Sequence, residues 1–189
     1  MAFHTSNNSC SPSTFSSFPP VFGIEPISIV ASLIKNFTAE SDASLRYTHP
    51  SITADNLTFC NVTVTYTHPE TNDEVNIESW LPASGEWNER LYAAGGGAYG
   101  AGRFLVPYAT MTGALAEGYA TVTTDAGQGW NTSFMDGSSY ALSSPGNVNL
   151  QLAQNFAATS LNEMVGFNGL SGRFCSSYLL LLFRPSSLN

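Results

Sequence analysis

Between Cys60 and Leu81 the chain alternates apolar and polar residues twice over, and no other feature restricts its possible folds as much. Val62, Val64 and Tyr66 alternate with Thr63, Thr65 and Thr67; after a polar segment, residues 68–73, the stretch 74–81 resumes with Val75, Ile77 and Leu81 on one side. A period of two places the apolar side chains on one face of a strand, and two such runs joined by a short turn make a hairpin. Beyond Leu81 the pattern changes in kind. Residues 88–94 form a short strand that runs into Gly95-Gly96-Gly97, and residues 104–117 have helical spacing through Tyr108, Met111 and Leu115, with Gly118 as C-cap. Residues 119–124 are a β-branched run suited to a buried parallel strand. Residues 150–167 predict a second helix, with Ala153, Phe156, Ala157, Leu161 and Met164 on one stripe. A hairpin succeeded by strand, helix, strand and helix predicts an α/β sheet with a right-handed crossover.

The flanks are less regular. Residues 1–23, rich in Ser, Pro and Phe, read as an irregular arm; 24–39 read as a short helix and 40–58 as loop. The expected organisation is therefore an N-terminal arm (1–58), an α/β domain (59–174) and a tail of different character (175–189), with no internal repeat.

Charge excludes one class of partner. The net charge is −8, with six Lys and Arg in all, whereas nucleic-acid binding needs clustered cations to displace counterions from phosphate. No membrane partner is expected either, because the one dense apolar run, residues 178–183, is far too short to span a bilayer. Sequons begin at Asn7, Asn36, Asn56, Asn61 and Asn131, which favours export and makes N-glycans possible at Asn36, Asn56, Asn61 and Asn131. No signal peptide is visible, since residues 1–9 are polar. The cysteines are Cys10, Cys60 and Cys175; Cys10 and Cys60 can close a long loop, the alternative being three unpaired thiols.

The glycine-rich run, residues 95–102, comes after a strand and precedes a helix. Glycines there allow a sharp turn and free backbone N–H groups for a ligand. Three readings stand: a phosphate cradle, an oxyanion hole, or a plain turn. The first lacks a Gly-Lys-Ser/Thr ending and comes after a hairpin; the second would stabilise the charge of a tetrahedral intermediate. A serine nucleophile needs a strand-to-helix elbow of the Gly-x-Ser-x-Gly kind, and none is present. Ser171, in Gly-Leu-Ser-Gly, has the wrong spacing and sits after a helix. His4, His49 and His68 all come before any such elbow, so none suits the general base, and they have no metal-ligand spacing. Asp125, closing a strand, reads as a loop cap.

An ordered succession of blocks carries a resemblance. Phe59-Cys60, Val75-Asn-Ile-Glu-Ser-Trp-Leu-Pro82, Trp87-Asn-Glu-Arg-Leu91, the 95–102 loop, Gly118-Tyr-Ala-Thr-Val-Thr-Thr-Asp125-Ala-Gly127, and Ala157-Ala-Thr159 with Leu161-Asn-Glu-Met164-Val resemble the fungal and bacterial tannase/feruloyl esterase family over residues 10–174. The resemblance implies a secreted serine esterase with an α/β-hydrolase core, a large lid that typically holds calcium, and phenolic-acid esters as substrates. It implies that Cys10 pairs with Cys60 and that the backbone of Gly96, Gly97 and Ala98 contributes the oxyanion hole. Gln128 stands where the family's Asp-x-Gly-His block has His.

After Phe174 the likeness ends. Cys175-Ser176 echoes the Cys-Ser of the family's elbow without either glycine, so Ser176 is the nearest approach to a nucleophile and is not expected to act as one. The change of character there is what a shifted reading frame or a retained intron would produce. The expectation is an α/β-hydrolase core truncated before the nucleophile elbow, with no lid, no metal and no cofactor. Such a chain is a carboxylic ester hydrolase by resemblance and inactive as encoded. The alternative is a ligand-binding remnant of the same fold.

Overall fold

The computed structural model of the protein describes residues 10–15, 21–46, 49–83, 85–130 and 133–170. Its centre is a five-stranded sheet of β1 (Glu25–Ser41), β2 (Ile52–Thr67), β3 (Val75–Pro82), β4 (Leu91–Ala93) and β5 (Ala120–Thr124), in the order β1-β2-β3-β5-β4. The expected hairpin is β2–β3, antiparallel from Phe59↔Pro82 to Tyr66↔Val75. β5 pairs antiparallel with β3 and parallel with β4. The connection from β4 to β5 is α1 (Leu105–Ala116), as the helical spacing indicated.

α1 stops where Gly118 adopts a left-handed conformation (φ 84°). The Gly118 amide donates to Leu115 O at 2.9 Å and the Tyr119 amide to Ala114 O at 3.0 Å, the paired bonds that close a helix on a glycine. Beyond β5 come α2 (Ser138–Ala141), a small ribbon of β6 (Leu142–Ser144) and β7 (Asn147–Val148), then α3 (Leu150–Gln154), a π turn (Asn155–Thr159) and α4 (Ser160–Leu170).

Two expectations for the N-terminal part are corrected. Residues 24–39 are not a helix: all but the first lie in β1, which pairs antiparallel with β2 along most of its length. Residues 40–58 are not a loop throughout, since a short 3₁₀ turn (Ala43–Leu45) leads into β2 from Ile52. The sheet thus extends across the expected boundary at residue 58. The reason lies in three register irregularities, at Pro26/Ser28, Ile34/Phe37 and Phe37/Ala39, near which Asn36 takes a φ of 55°. Each shifts the phase of the inward face, so a real period of two looks irregular in sequence.

Helices and arm cover the two faces. On one, Cys60, Val62, Val64 and Tyr66 of β2 pack with Val75, Ile77, Val122, Met164 and Phe167, and residues 10–15 lie against them. On the other, Phe59 and Trp80 pack with Met111 and Leu115 of α1. A disulfide joins Cys10 to Cys60 with a Cα–Cα distance of 5.6 Å, and holds the arm to the sheet.

The second helix exists, but its inward stripe differs from the expected one. Ala157 and Leu161 face outward, while Asn155, Ser160, Glu163, Met164 and Phe167 are buried. The π turn inserts a residue between Asn155 and Ser160, so the buried positions step by five there and a 3.6 period misses them.

Candidate functional site

β4 and β5 run parallel, so their C-terminal ends lie at the same edge of the sheet, where ligands of open α/β sheets bind. The glycine run leaves β4 at that edge. It borders a cavity of about 270 Å³, lined by residues 95–98 and Thr124 on one side and by Phe156, Ser160 and Leu161 on the other.

At Gly96 and Gly102 the close approach of backbone oxygens requires glycine. A Cβ on Gly96 would overlap the carbonyl oxygens of Gly100 and Ala101, and one on Gly102 would overlap Thr123 Oγ1 and Thr124 O. A Cβ on Gly97 would meet nothing. The run folds back on itself, with the Gly97 amide donating to Gly100 O at 2.9 Å and the Gly100 amide to Gly97 O at 3.0 Å. The Gly97 amide is therefore already engaged. Of the three expected oxyanion donors, Gly96 and Ala98 are the two whose amides meet no acceptor among the described residues. Ala98 sits at φ 51°, a conformation uncommon outside glycine.

Gln128 pins this loop. Its Oε1 accepts from the Ala101 amide at 3.0 Å and its Nε2 donates to Tyr99 O at 3.2 Å. The Tyr140 hydroxyl donates to the same carbonyl at 3.0 Å.

Immediately after the run, Arg103 enters a buried ion cluster. Its Nε lies 3.1 Å from Glu78 Oε2 and its Nη1 3.3 Å from Asp125 Oδ2. Glu78 also accepts from Tyr108 OH (2.8 Å), Trp80 Nε1 (2.9 Å) and Asn61 Nδ2 (3.1 Å). Asp125 accepts from the Asn76 amide, Asn76 Nδ2 and the Gly127 amide, each at 2.9 Å. Asp125 thus caps its loop as expected, and also meets Arg103. Burial, reinforced by the Glu78 charge, pushes the Tyr108 hydroxyl up to about 12, so it remains a donor. Sequence reasoning missed Glu78 and Arg103. The available signal was a charged residue inside an otherwise half-apolar strand, in a chain with only 11% charged residues.

A second cluster lies on the opposite face. His68 Nδ1 is 2.6 Å from Asp73 Oδ2, and its Nε2 is 2.7 Å from Glu163 Oε1. Tyr66 OH donates to Glu163 Oε2 at 2.7 Å, and Asn155 Nδ2 donates to Asp73 Oδ2 at 2.7 Å. Burial would raise the Asp73 carboxyl, but hydrogen bonds from the His68 amide and ring, Thr71 and Asn155 hold it well below the usual range. With both ring nitrogens engaged, His68 has no lone pair to offer as a base. His49 is exposed on the β1–β2 connection.

Ser176, Cys175, His4, Ser171, Asn7 and Asn131 lie outside the described residues. Among the described residues, no group of three or more His, Cys, Asp or Glu is placed to hold a metal ion. No helix among them is long and apolar enough to cross a membrane. Asn36 and Asn56 are exposed, whereas Asn61 is half-buried with Nδ2 on Glu78.

Known proteins share both the motifs and the fold. The family described as tannase and feruloyl esterase matches residues 60–168. A protein of Arthroderma benhamiae named "Probable feruloyl esterase" is 40% identical over 115 residues, which cover 61% of this chain and 20% of that protein. A tannase of Aspergillus oryzae is 34% identical over 107 residues, 56% of this chain and 17% of the relative. The chain thus spans about a fifth of the length of these curated relatives. The structure of a tannin acyl hydrolase from Aspergillus niger superimposes with a TM-score of 0.70 at 24% identity, over 95% of this chain and 31% of that one. The fold is accordingly that of an α/β-hydrolase.

Proposed function

The chain belongs to the tannase and feruloyl esterase family, and from that premise we propose that its cleft is the oxyanion side of a site for phenolic-acid esters. The observation that carries this is the pair of unengaged amides, Gly96 and Ala98, in the wall of a cavity at the C-terminal ends of β4 and β5. Preorganised N–H donors are worth most where negative charge develops on an ester oxygen, about 10²–10³ in turnover for each such donor. The phosphate-cradle reading has no support at this site, because Arg103 is committed to Glu78 and Asp125. In the complete reaction a serine attacks the ester carbonyl carbon and the alcohol leaves with a proton, giving an acyl-enzyme that water hydrolyses to the free acid and the regenerated serine.

By themselves, the 189 residues bind such esters without turning them over. Support comes from the two described histidines, the engaged ring of His68 and the exposed position of His49. The reading as a ligand-binding remnant and the reading as an inactive esterase therefore converge on one behaviour. The Cys10–Cys60 disulfide supports an oxidising, extracellular setting, in which Asn36 and Asn56 would carry N-glycans. The test is equilibrium binding and hydrolysis of methyl ferulate and methyl gallate by the purified chain. Saturable binding without ester cleavage is expected. Cleavage that disappears in Ser176→Ala would refute the inactivity, and failure to bind either ester would refute the site.

A further inference from the structure

The His68 cluster is linked to the cleft through the chain itself. A neutral imidazole has one N–H and one lone pair, so it can satisfy only one of two facing carboxylates. The ring that fits Asp73 at 2.6 Å and Glu163 at 2.7 Å is the imidazolium, donating from both nitrogens. The groups facing it are Asp73 from the β2–β3 turn and Glu163 from α4. Tyr66 from β2 donates to Glu163, and Asp125, at the end of β5, acts on Tyr66 by its charge. Burial and Glu163 keep the Tyr66 hydroxyl far above its ordinary value, so it remains a neutral donor.

The segment tethered in this way is the far wall of the cleft. Asn155 donates to Asp73, and Glu163 accepts from His68. Phe156, Ser160 and Leu161, which line the cavity, lie between these two anchors. The π turn stiffens the span, with Ser160 Oγ donating to Asn155 O at 2.6 Å. Resting on the reading of this cleft as an ester site, we propose that His68 is a positioning residue for it: the doubly paired ring holds the 155–163 wall against the sheet, and ligand binding in the cleft requires the ring to carry its proton.

Burial disfavours the charged ring, yet Asp73 and Glu163 outweigh it and raise the pKa of His68 above its ordinary value. A raised folded-state value means that the tether is complete below about pH 6.5, the unfolded value, and is lost as pH rises through the higher folded one. Above that point a lone pair faces one of the two carboxylates, and of the polar anchors only Asn155 on Asp73 and Tyr66 on Glu163 are unaffected.

The experiment tracks amide-exchange protection of residues 155–163 and methyl ferulate binding, in the whole chain, from about pH 5 to about pH 9. In the wild type, protection and affinity should fall together, by up to about tenfold per pH unit beyond the midpoint. Glu163→Gln keeps an acceptor for Nε2 but removes a charge, and should move the midpoint to lower pH. His68→Gln should lower protection at acid pH and flatten the profile. Unchanged protection in His68→Gln, or a binding profile indifferent to Glu163→Gln, overturns the tether and leaves the ester reading intact. No methyl ferulate binding at any pH, with pH-dependent exchange preserved, overturns the ester reading and leaves the tether supported.

Discussion

Arg103→Met removes the cation that two buried carboxylates share while keeping an unbranched apolar stem in its place. The Glu78 and Asp125 side chains are 6% and 0% exposed, so neither regains water when the guanidinium goes. At an effective dielectric constant of about 20, unit charges about 4 Å apart attract by about 4 kcal/mol. Arg103 makes two such contacts, at 3.1 and 3.3 Å. Against this, the variant no longer has to desolvate a guanidinium, and each carboxylate keeps its other hydrogen bonds: Glu78 from Tyr108, Trp80 and Asn61, and Asp125 from Asn76 twice and Gly127. Breaking a buried pair from one side costs about 3–5 kcal/mol, and the remaining donors favour the lower end, about 3 kcal/mol. Urea unfolding of wild type, Arg103→Met, Glu78→Gln and the double variant at one neutral pH measures it. The double variant has one uncompensated charge fewer, so it should be more stable than additivity predicts by at least about 1 kcal/mol. Because Arg103 comes directly after Gly102, the single variant should also weaken methyl ferulate binding. A loss below about 1 kcal/mol with an unchanged m-value, or strict additivity, would refute the argument.

The same geometry fixes the outcome of four other perturbations. Gly96→Ala forces a Cβ into two carbonyl oxygens and should cost about 1–3 kcal/mol in urea unfolding, whereas Gly97→Ala should stay within about 0.5 kcal/mol. Cys10→Ser opens a loop with a sequence separation of 50 and should cost up to about 4 kcal/mol, read as the difference in unfolding free energy from the oxidised wild type. In a secreted preparation, peptide mass mapping should find glycans at Asn36 and Asn56 and none at Asn61, whose Nδ2 is engaged by Glu78. Gln128→Ala frees the Ala101 amide and removes a support of Tyr99 O, so amide exchange across residues 97–102 should accelerate while that of β2 and β3 stays unchanged.

Much of the frame was legible without coordinates, because its signals are local. The hairpin β2–β3 comes from side-chain alternation, α1 from its spacing and the glycine that ends it, and β5 from a β-branched run between a helix cap and a turn. The glycine run was conspicuous as the place where a strand hands over to a helix, and the order of motifs around it pointed to the esterase family before any distance was known. β1 was misread because its bulges break the period of two, and the stripe of the last helix because a π turn breaks the period of 3.6.

What sequence could not reveal is which polar groups meet. Glu78 and Asp125 are 47 positions apart and share one arginine, and His68 lies 95 residues from the carboxylate that takes its Nε2. Nor could it separate Gly97, whose amide the loop itself consumes, from Gly96 and Ala98 beside it. Periodicity reports which side of an element is apolar, since that preference acts residue by residue. Hydrogen bonds and ion pairs between distant segments depend on the relative placement of whole elements, and only the packed sheet with its helices decides that.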